Sequence, residues 1–398
     1  MTDQTLSGNA KAKVLISLLA MSSVMMVTAL VMPILSEIGR NFPDASVSQV
    51  QVVYSIASLV SLPIMLLSGV VTTFFSKKKL IVLGLALSLG GGIFPRFFHE
   101  HLWQLYLGSA VIGGGIAIVN ILSSTLISDY YDGVDKGRVM GYQSAALSMM
   151  GGIFSAGAGK IAVESSWPNA FLLSLYIAPI IAVVVFCLPA DKPARREKAV
   201  EIEGRVYSKK LLGWGALGFL WSIFMFAMNT NISMYIEAEG FGGADVAGYV
   251  STIFMLIGIP GGILLGPCMK LMKRHVVCIM CYVTAAGMIM LYFAHSLTVV
   301  FIAAFIYGLG FAIRNPATIT FTAYLVPKRG TAQAIAYVQA LGTVGGFISP
   351  FVVNAISSLF GGSFRVVFGV CGVALLVLSV AYTFFNPVRN KDIEAGAG

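Results

Sequence analysis

The chain has 398 residues, of which 57% are hydrophobic and 11% are charged. Soluble domains carry about 25% charged residues, so this composition excludes an ordinary soluble protein and indicates a protein embedded in a membrane. Lys and Arg exceed Asp and Glu by 26 to 17, which gives a net charge of +9. In a soluble chain that excess would suggest nucleic-acid binding. Here the basic residues follow the membrane topology, so no nucleic-acid partner is predicted.

Twelve apolar stretches follow one another along the chain, and each has about the 20 residues that a membrane-spanning helix needs. They begin near Val14, Val50, Leu80, Leu102, Val139, Asn169, Leu211, Ala247, Val276, Leu297, Gln333 and Phe364. None alternates between apolar and polar residues as outer-membrane strands do. The first is too long for the apolar core of a signal peptide. The sequence therefore predicts an all-α polytopic membrane protein with 12 transmembrane helices.

Basic residues concentrate in every second connection between these stretches, for example Lys77 to Lys79, Lys192 to Lys210 and Lys270 to Arg274. The intervening connections carry few of them. The positive-inside rule places the basic connections and both termini in the cytoplasm. We therefore predict a multi-pass protein of the cytoplasmic membrane, with the lipid bilayer as its surroundings.

The chain contains an internal repeat. The octapeptide GGGIAIVN at 113–120 recurs as GLGFAIRN at 308–315, and Pro63 recurs as Pro260 at an offset of 197 residues. A charged, proline-containing segment separates the two copies and reads as a flexible tether. We predict two pseudo-symmetric six-helix bundles, residues 1–189 and 213–398, joined by a cytoplasmic linker at 190–212, with a short cytoplasmic tail after the second bundle.

One position breaks the repeat, because Val119 of the first copy corresponds to Arg314 of the second. A charged residue well inside a spanning helix costs roughly 2.5 to 3.5 kcal/mol on insertion scales and marks functional sites. None of the 17 carboxylates falls well inside a span, so the sequence offers Arg314 no counter-ion. This predicts a small organic anion, favouring a carboxylate, as its partner. An arginine that snorkels or binds carbonyls of a neighbouring helix is the alternative.

Further polar and aromatic residues complete the candidate substrate site. Helical spacing places Tyr307, Phe311 and Thr318 on the same face as Arg314. The other candidates lie in several predicted spans, and they are Tyr54, Asn120, Tyr142, Gln143, Trp221, Asn229, Asn315, Tyr337 and Gln339. Each is equally compatible with a helix-to-helix hydrogen bond or with aromatic packing.

Several kinds of chemistry are excluded by the sequence. Cys278 and Cys281 have no second pair of metal ligands nearby, so they are interpreted as packing residues and no metal site is predicted. The GxG patterns lie inside apolar helices with no preceding strand, which favours close helix packing over dinucleotide binding. No phosphate-binding loop occurs, and His, Asp and Glu do not cluster within spans. We predict no cofactor and no enzymatic activity.

The chain resembles the major facilitator superfamily over nearly its whole length. That family typically has a Gly-x-Leu-x-Asp-Arg-x-Gly-Arg-Lys pattern after its second helix, and here Gly69 begins a segment that ends in Lys77 and Lys78. Thr73 replaces the acid. The second copy, from Gly266 to His275, retains Lys273 and Arg274. The resemblance implies a transporter in which two six-helix bundles rock about a central site.

The resemblance also implies gating residues at the cytoplasmic face. Lys77 and Lys78 could pair with Asp129, Asp132 or Asp135 to hold the outward-open state, with Lys273 and Arg274 in the corresponding place of the second half. A solvated basic loop is the alternative, since exposed ion pairs contribute only about 0 to 1 kcal/mol.

These observations favour a secondary active or facilitative transporter that moves a small organic anion by alternating access, and a monomer is expected. Efflux of amphipathic drugs by proton antiport is a second hypothesis, favoured by 18 methionines and weakened by the lack of an acidic residue within the spans. A membrane sensor that does not transport is a third. The coupling ion and the direction of transport are left open.

Overall fold

The computed structural model describes residues 8–71, 74–131, 133–189, 208–327 and 330–388. Within these ranges the backbone is helical apart from short connections, and no strand occurs. The all-α prediction is therefore confirmed. Most of the predicted linker, residues 190–207, lies outside the described residues, as do Thr73 and Asp132. The domain boundaries at 189, 190, 212 and 213 remain predictions.

The first half is built from a series of apolar helices. Their bounds are α1 Gly8–Val24, α2 Val31–Asn41, α3 Val47–Val71, α4 Lys77–Phe97, α5 Leu102–Tyr130, α6 Gly133–Glu164 and α7 Ile177–Cys187. A 3₁₀ turn at Val27–Leu30 separates α1 from α2. A longer 3₁₀ segment, Trp167–Tyr176, precedes α7 and supplies the first part of the sixth predicted span.

The second half repeats this arrangement. Its helices are α8 Lys209–Met225, α9 Ala227–Ala238, α10 Ala244–Leu256, α11 Gly258–Met272, α12 Val276–Tyr292, α13 Leu297–Tyr324, α14 Thr331–Ser358 and α15 Phe364–Phe384. The break between α8 and α9 lies at Phe226, where the α1 to α2 break lies in the first half. Serine side chains cap several helix starts, as Ser208 accepts the backbone N–H of Leu211 and Ser363 accepts that of Val366.

The described residues contain eleven apolar helical stretches long enough to cross a membrane. The longest, Ala244–Tyr292, has 49 residues and would reach about 73 Å if straight, more than twice the roughly 30 Å of a hydrocarbon core. Its path reverses at Lys273, whose φ of 48° ends α11. That stretch therefore supplies two spans, α10 with α11 and then α12, and the number of spans is about twelve. The protein is a multi-pass membrane protein.

Glycines allow the helices of each half to approach closely. A Cβ atom added at Gly113 of α5 would lie 2.2 Å from the carbonyl oxygen of Ala57 in α3. The repeat-related Gly308 of α13 behaves alike, since a Cβ atom there would lie 2.8 Å from Cα of Phe254 in α10. Both contacts would be severe clashes, so the GxG patterns serve helix packing, as the sequence indicated.

Each half has its own apolar core, and a few helices join the halves. Large buried side chains of the first half include Leu30 and Phe171, whereas Trp214, Tyr307 and Phe321 centre the second core. Between the halves, α6 packs along α10, α3 packs along α14, and α2 meets α9. The polar groups described next lie within the second core and at this seam.

Candidate functional site

Arg314 lies inside the core of the second half, with only 5% of its surface exposed. Its Nε donates to Sγ of Cys281 in α12 at 3.3 Å, and Nη2 donates to the hydroxyl of Tyr382 in α15 at 2.8 Å. The guanidinium carbon lies 4.2 Å from the centre of the Trp221 ring in α8. We call Arg314, Trp221, Cys281 and Tyr382 the arginine cluster. It joins four helices of one bundle.

No carboxylate in the described ranges pairs with Arg314, as the sequence predicted. Arg314 is tied to two neighbouring helices, α12 and α15. Its 5% exposure excludes snorkelling to the membrane surface, and its hydrogen bonds go to side chains rather than to carbonyls of a neighbouring helix. The positive charge is held by a thiol, a phenol and two aromatic faces, none of which carries a full negative charge.

The equivalent place in the first half shows what Arg314 replaces. Val119 is 1% exposed and packs against Gly84 of α4, where an added Cβ atom would lie 3.1 Å from Cγ2 of Val119. The corresponding helices of the second half are α13 and α12, because Gly115 packs on Gly84 and Ser88 as Gly310 packs on Met280 and Thr284. The same helix pair therefore surrounds Val119 in one half and Arg314 in the other, and only the second copy is charged.

The predicted residues on the Arg314 face of α13 connect helices within the same bundle. Tyr307 is buried, and its hydroxyl donates to the carbonyl oxygen of Met225 at 3.1 Å. Thr318 is buried and donates to the carbonyl oxygen of Arg314 at 2.9 Å. Phe311 is half-buried. Substrate contact by these three residues stays a prediction.

The remaining candidates divide by exposure. Gln143 is buried and donates to Oγ of Ser123 at 3.0 Å. Tyr54, Asn229 and Tyr337 are half-buried, whereas the exposed candidates are Asn120, Tyr142, Asn315 and Gln339. Of all the predicted residues, only Trp221 contacts the guanidinium group. The structure therefore does not gather the candidates into one cluster, and their roles stay predictions.

The basic end of the first half contains the predicted gating residues. Lys77, at the start of α4, forms an ion pair with Asp129, near the end of α5. Lys78 donates to the carbonyl oxygen of Leu188 at 2.6 Å. Both contacts lie within the first half. The gating role of this pair stays a prediction.

In the second half, Lys273 occupies the reversal between α11 and α12, and Nε of Arg274 lies 3.2 Å from Nε2 of His275. Lys273 and Arg274 also take part in further interactions. These positions place both residues at the basic end of their bundle. Their part in gating stays a prediction.

At the opposite end, polar side chains of the two halves meet directly. Oγ of Ser36 lies 2.8 Å from Oγ of Ser233, and Arg40 forms an ion pair with Glu237. Both pairs join positions 197 residues apart, so repeat-related positions face each other across the pseudo-symmetry axis. We call this region, with the network described next, the polar seam.

A buried amide network continues the polar seam. Nε2 of Gln51 in α3 donates to Oδ1 of Asn231 in α9 at 2.7 Å, and Nδ2 of Asn354 in α14 donates to Oε1 of Gln51 at 2.8 Å. Gln51 and Asn231 are 0% exposed. Three helices from both halves are therefore tied together at this end of the molecule.

Sequence reasoning missed the polar seam and two members of the arginine cluster. The repeat offset of 197 relates Ser233 to Ser36, so an alignment of the halves carries a signal for that pair. Tyr382 has no such signal, because one aromatic residue near the end of an apolar helix is ordinary. Gln51 and Asn354 resemble the other uncharged polar residues of their helices.

Both halves of the chain match one protein family. The sequence model of the Major Facilitator Superfamily matches residues 15–282 and 216–398. A crystal structure described as a bacterial homolog of the human lysosomal transporter Spinster, inward-facing and unoccupied, superposes with a TM-score of 0.79. The superposition includes 97% of this chain and 99% of the chain in that structure, and the two sequences are 13% identical. This similarity shows a shared fold.

Two relatives are similar in sequence over part of the chain. Protein spinster homolog 1 of Mus musculus is 26% identical over 160 residues, 39% of this chain and 29% of that protein. The lysosomal dipeptide transporter MFSD1 of Bos taurus is 22% identical over 337 residues, 77% of this chain and 69% of that protein. The match to the spinster homolog thus spans under a third of its length. Because the family model covers both halves, the chain belongs to the Major Facilitator Superfamily of membrane transporters.

Proposed function

We propose that this protein transports a small organic anion, of the carboxylate class, across the cytoplasmic membrane by alternating access. The observation that carries the proposal is the buried Arg314, which has no carboxylate partner among the described residues. A buried charge without an opposite charge is unfavourable. An anion brought by the substrate would supply the missing charge, and the planar guanidinium fits a carboxylate with two parallel hydrogen bonds.

One relative supports this class of substrate. MFSD1 of Bos taurus is named as a dipeptide transporter, and a dipeptide ends in a carboxylate. The similarity extends over most of both chains, so a substrate with a carboxylate group is chemically consistent with it.

The observed conformation suits one stage of alternating access. The polar seam, from Ser36–Ser233 to Gln51–Asn231, closes the molecule at the end remote from the basic connections. If those connections lie in the cytoplasm, as the charge pattern predicts, the closed end faces outward.

Drug efflux by proton antiport is less well supported by the same geometry. A proton-driven antiporter needs a protonatable group within the membrane, and intramembrane carboxylates serve that purpose. The ion-paired carboxylates in the described ranges, Glu37, Asp129, Asp135, Glu164, Glu237 and Glu239, all lie at helix ends. A substrate that carries its own proton or charge avoids this requirement.

Transport in proteoliposomes tests the proposed function. Vesicles containing the purified protein are loaded with radiolabelled mono- and dicarboxylates, their neutral amides or a lipophilic cation, and exchange is measured with and without an imposed pH gradient. Carboxylates are expected to exchange, whereas amides and the cation are not. Arg314→Gln is expected to lower carboxylate affinity about 30-fold or more, since a lost charge-assisted contact costs about 2 kcal/mol or more.

The matched control is Arg138→Gln, which removes an exposed arginine from α6. It is expected to transport like the wild type. Exchange of the lipophilic cation, or carboxylate exchange that is unaffected by Arg314→Gln, would contradict the proposal. The response to the pH gradient separates proton-coupled symport from uniport and anion exchange.

A further inference from the structure

The arginine cluster contains hydrogen-bond donors that have no acceptor. We propose that the indole N–H of Trp221 and the hydroxyl of Tyr382, together with the guanidinium of Arg314, form the binding site for the substrate's carboxylate, an inference that rests on the proposed function. Trp221 is 0% exposed, and its Nε1 has no hydrogen-bond partner among the described residues. A buried donor left unpaired costs about 1 to 3 kcal/mol.

The side chains that carry these donors pack against one another. The guanidinium carbon of Arg314 lies 4.2 Å above the Trp221 ring and 5.4 Å from the centre of the Tyr382 ring. Arg314 uses one N–H for Cys281 and one for Tyr382, and its other N–H groups have no partner in the described ranges. The Tyr382 hydroxyl accepts from Arg314 and keeps its own hydrogen for donation.

The two acceptors shown in the cluster each receive a hydrogen bond from the guanidinium group. Sγ of Cys281 and the oxygen of Tyr382 both accept from Arg314. The site therefore presents donors from three side chains and a positive charge, and it suits a ligand group that only accepts hydrogen bonds. A carboxylate meets that requirement, whereas a neutral amide brings donors of its own.

The same geometry predicts discrimination against α-amino acids. Their ammonium group lies one carbon away from the carboxylate, so binding would place a second positive charge beside Arg314 in a poorly solvated interior. No carboxylate of the described residues is present at the cluster to offset it. A dipeptide carries its ammonium group farther from the terminal carboxylate and avoids most of this repulsion.

Trp214 provides a matched control on the same helix. It is 1% exposed, and its indole ring packs edge-on against Tyr382 at 5.3 Å between ring centres, but its Nε1 donates to Oγ1 of Thr322 at 3.1 Å. Replacement of either tryptophan by phenylalanine keeps an aromatic ring and removes one N–H. Only in Trp214 is that N–H already paired within the protein.

The test compares the two variants in detergent with three small probes, propionate, propionamide and alanine. Propionate is expected to raise the melting temperature of the wild type, whereas propionamide and alanine are not. Trp221→Phe is expected to weaken propionate binding about tenfold, because a hydrogen bond to a charged group is lost. Its melting temperature without propionate should equal or exceed that of the wild type.

Trp214→Phe is expected to show the opposite pattern, with a lower melting temperature and wild-type propionate affinity. Tyr382→Phe should weaken propionate binding as Trp221→Phe does. Equal propionate affinity of Trp221→Phe and wild type would overturn the inference, as would a wild type that propionate does not stabilise or that alanine stabilises equally.

The two proposals can fail separately. If Arg314→Gln loses carboxylate transport but Trp221→Phe binds propionate like the wild type, the proposed function stands and the donor site is wrong. If propionate binding depends on Trp221 but proteoliposomes exchange no carboxylate, the donor site stands and the proposed transport is wrong.

Discussion

At the scale of single residues, Arg314 holds a full positive charge in the core of the second half, with no carboxylate partner in the described ranges. The missing counter-ion of Arg314 could be predicted because no carboxylate falls well inside a predicted span. Its contacts could not, since Cys281 and Tyr382 are 33 and 68 residues away and belong to other helices. No local periodicity encodes which side chains of separate helices meet, because that depends on how the helices rotate and pack together.

Lys273 allows a prediction about backbone strain. Its φ of 48° and ψ of −127° form a conformation that glycine adopts readily and other residues rarely adopt. Lys273→Gly is therefore expected to stabilise the protein by about 1 kcal/mol, measured by thermal or denaturant unfolding in detergent. The control is Lys270→Gly within α11, which should destabilise by about 1 kcal/mol. A loss of stability in both variants would refute strain at Lys273.

At the scale of elements, hydropathy predicted where spans lie but not how regular their helices are. The first span contains the 3₁₀ turn Val27–Leu30, and its counterpart in the second half breaks at Phe226. Trp167–Tyr176 forms a 3₁₀ segment although it is apolar. An apolar composition shows only that a segment can lie in the membrane. The irregularities depend on which neighbouring groups can form hydrogen bonds with the backbone groups left unpaired at each break.

Tyr307 provides a test of this explanation. Its hydroxyl donates to the carbonyl of Met225, the last residue of α8 and thus a carbonyl at the helix break. Tyr307→Phe should leave that buried carbonyl without this donor and lower the unfolding free energy by about 1 to 3 kcal/mol. Tyr249→Phe, which alters an exposed tyrosine of α10, should leave stability unchanged. Equal unfolding midpoints for the two variants would reject the role assigned to Tyr307.

At the scale of the whole molecule, the internal repeat predicted two related halves, but not which surfaces join them. The seam depends on residues such as Ser36, Gln51 and Asn231, which resemble other polar residues of their helices in sequence. Alignment of the halves relates Ser36 to Ser233 and Arg40 to Glu237, yet two related positions need not touch. They touch here because they lie next to the axis that relates the halves.

Gln51 provides a test of how the polar seam holds that end closed. Gln51→Leu removes the partner of two amides, Asn231 and Asn354, and should favour conformations in which water reaches them. Spin labels at Asp44 and Ala238, both exposed at this end, should then show a population at longer distance. Gln333→Leu makes the same chemical change in an exposed residue of α14 and should not alter the distances. Unchanged distances in Gln51→Leu would show that other contacts hold the seam.

The pairing of Arg40 with Glu237 bears on how a duplicated protein can evolve. Two identical halves would place the same side chain on both sides of their symmetry axis, as a symmetric dimer does. A serine can meet its own copy there, as Ser36 and Ser233 still do. An arginine or a glutamate would meet a like charge. Joining the halves in one chain allowed the two copies to diverge separately, so opposite charges could occupy a place where exact symmetry permits only equal ones.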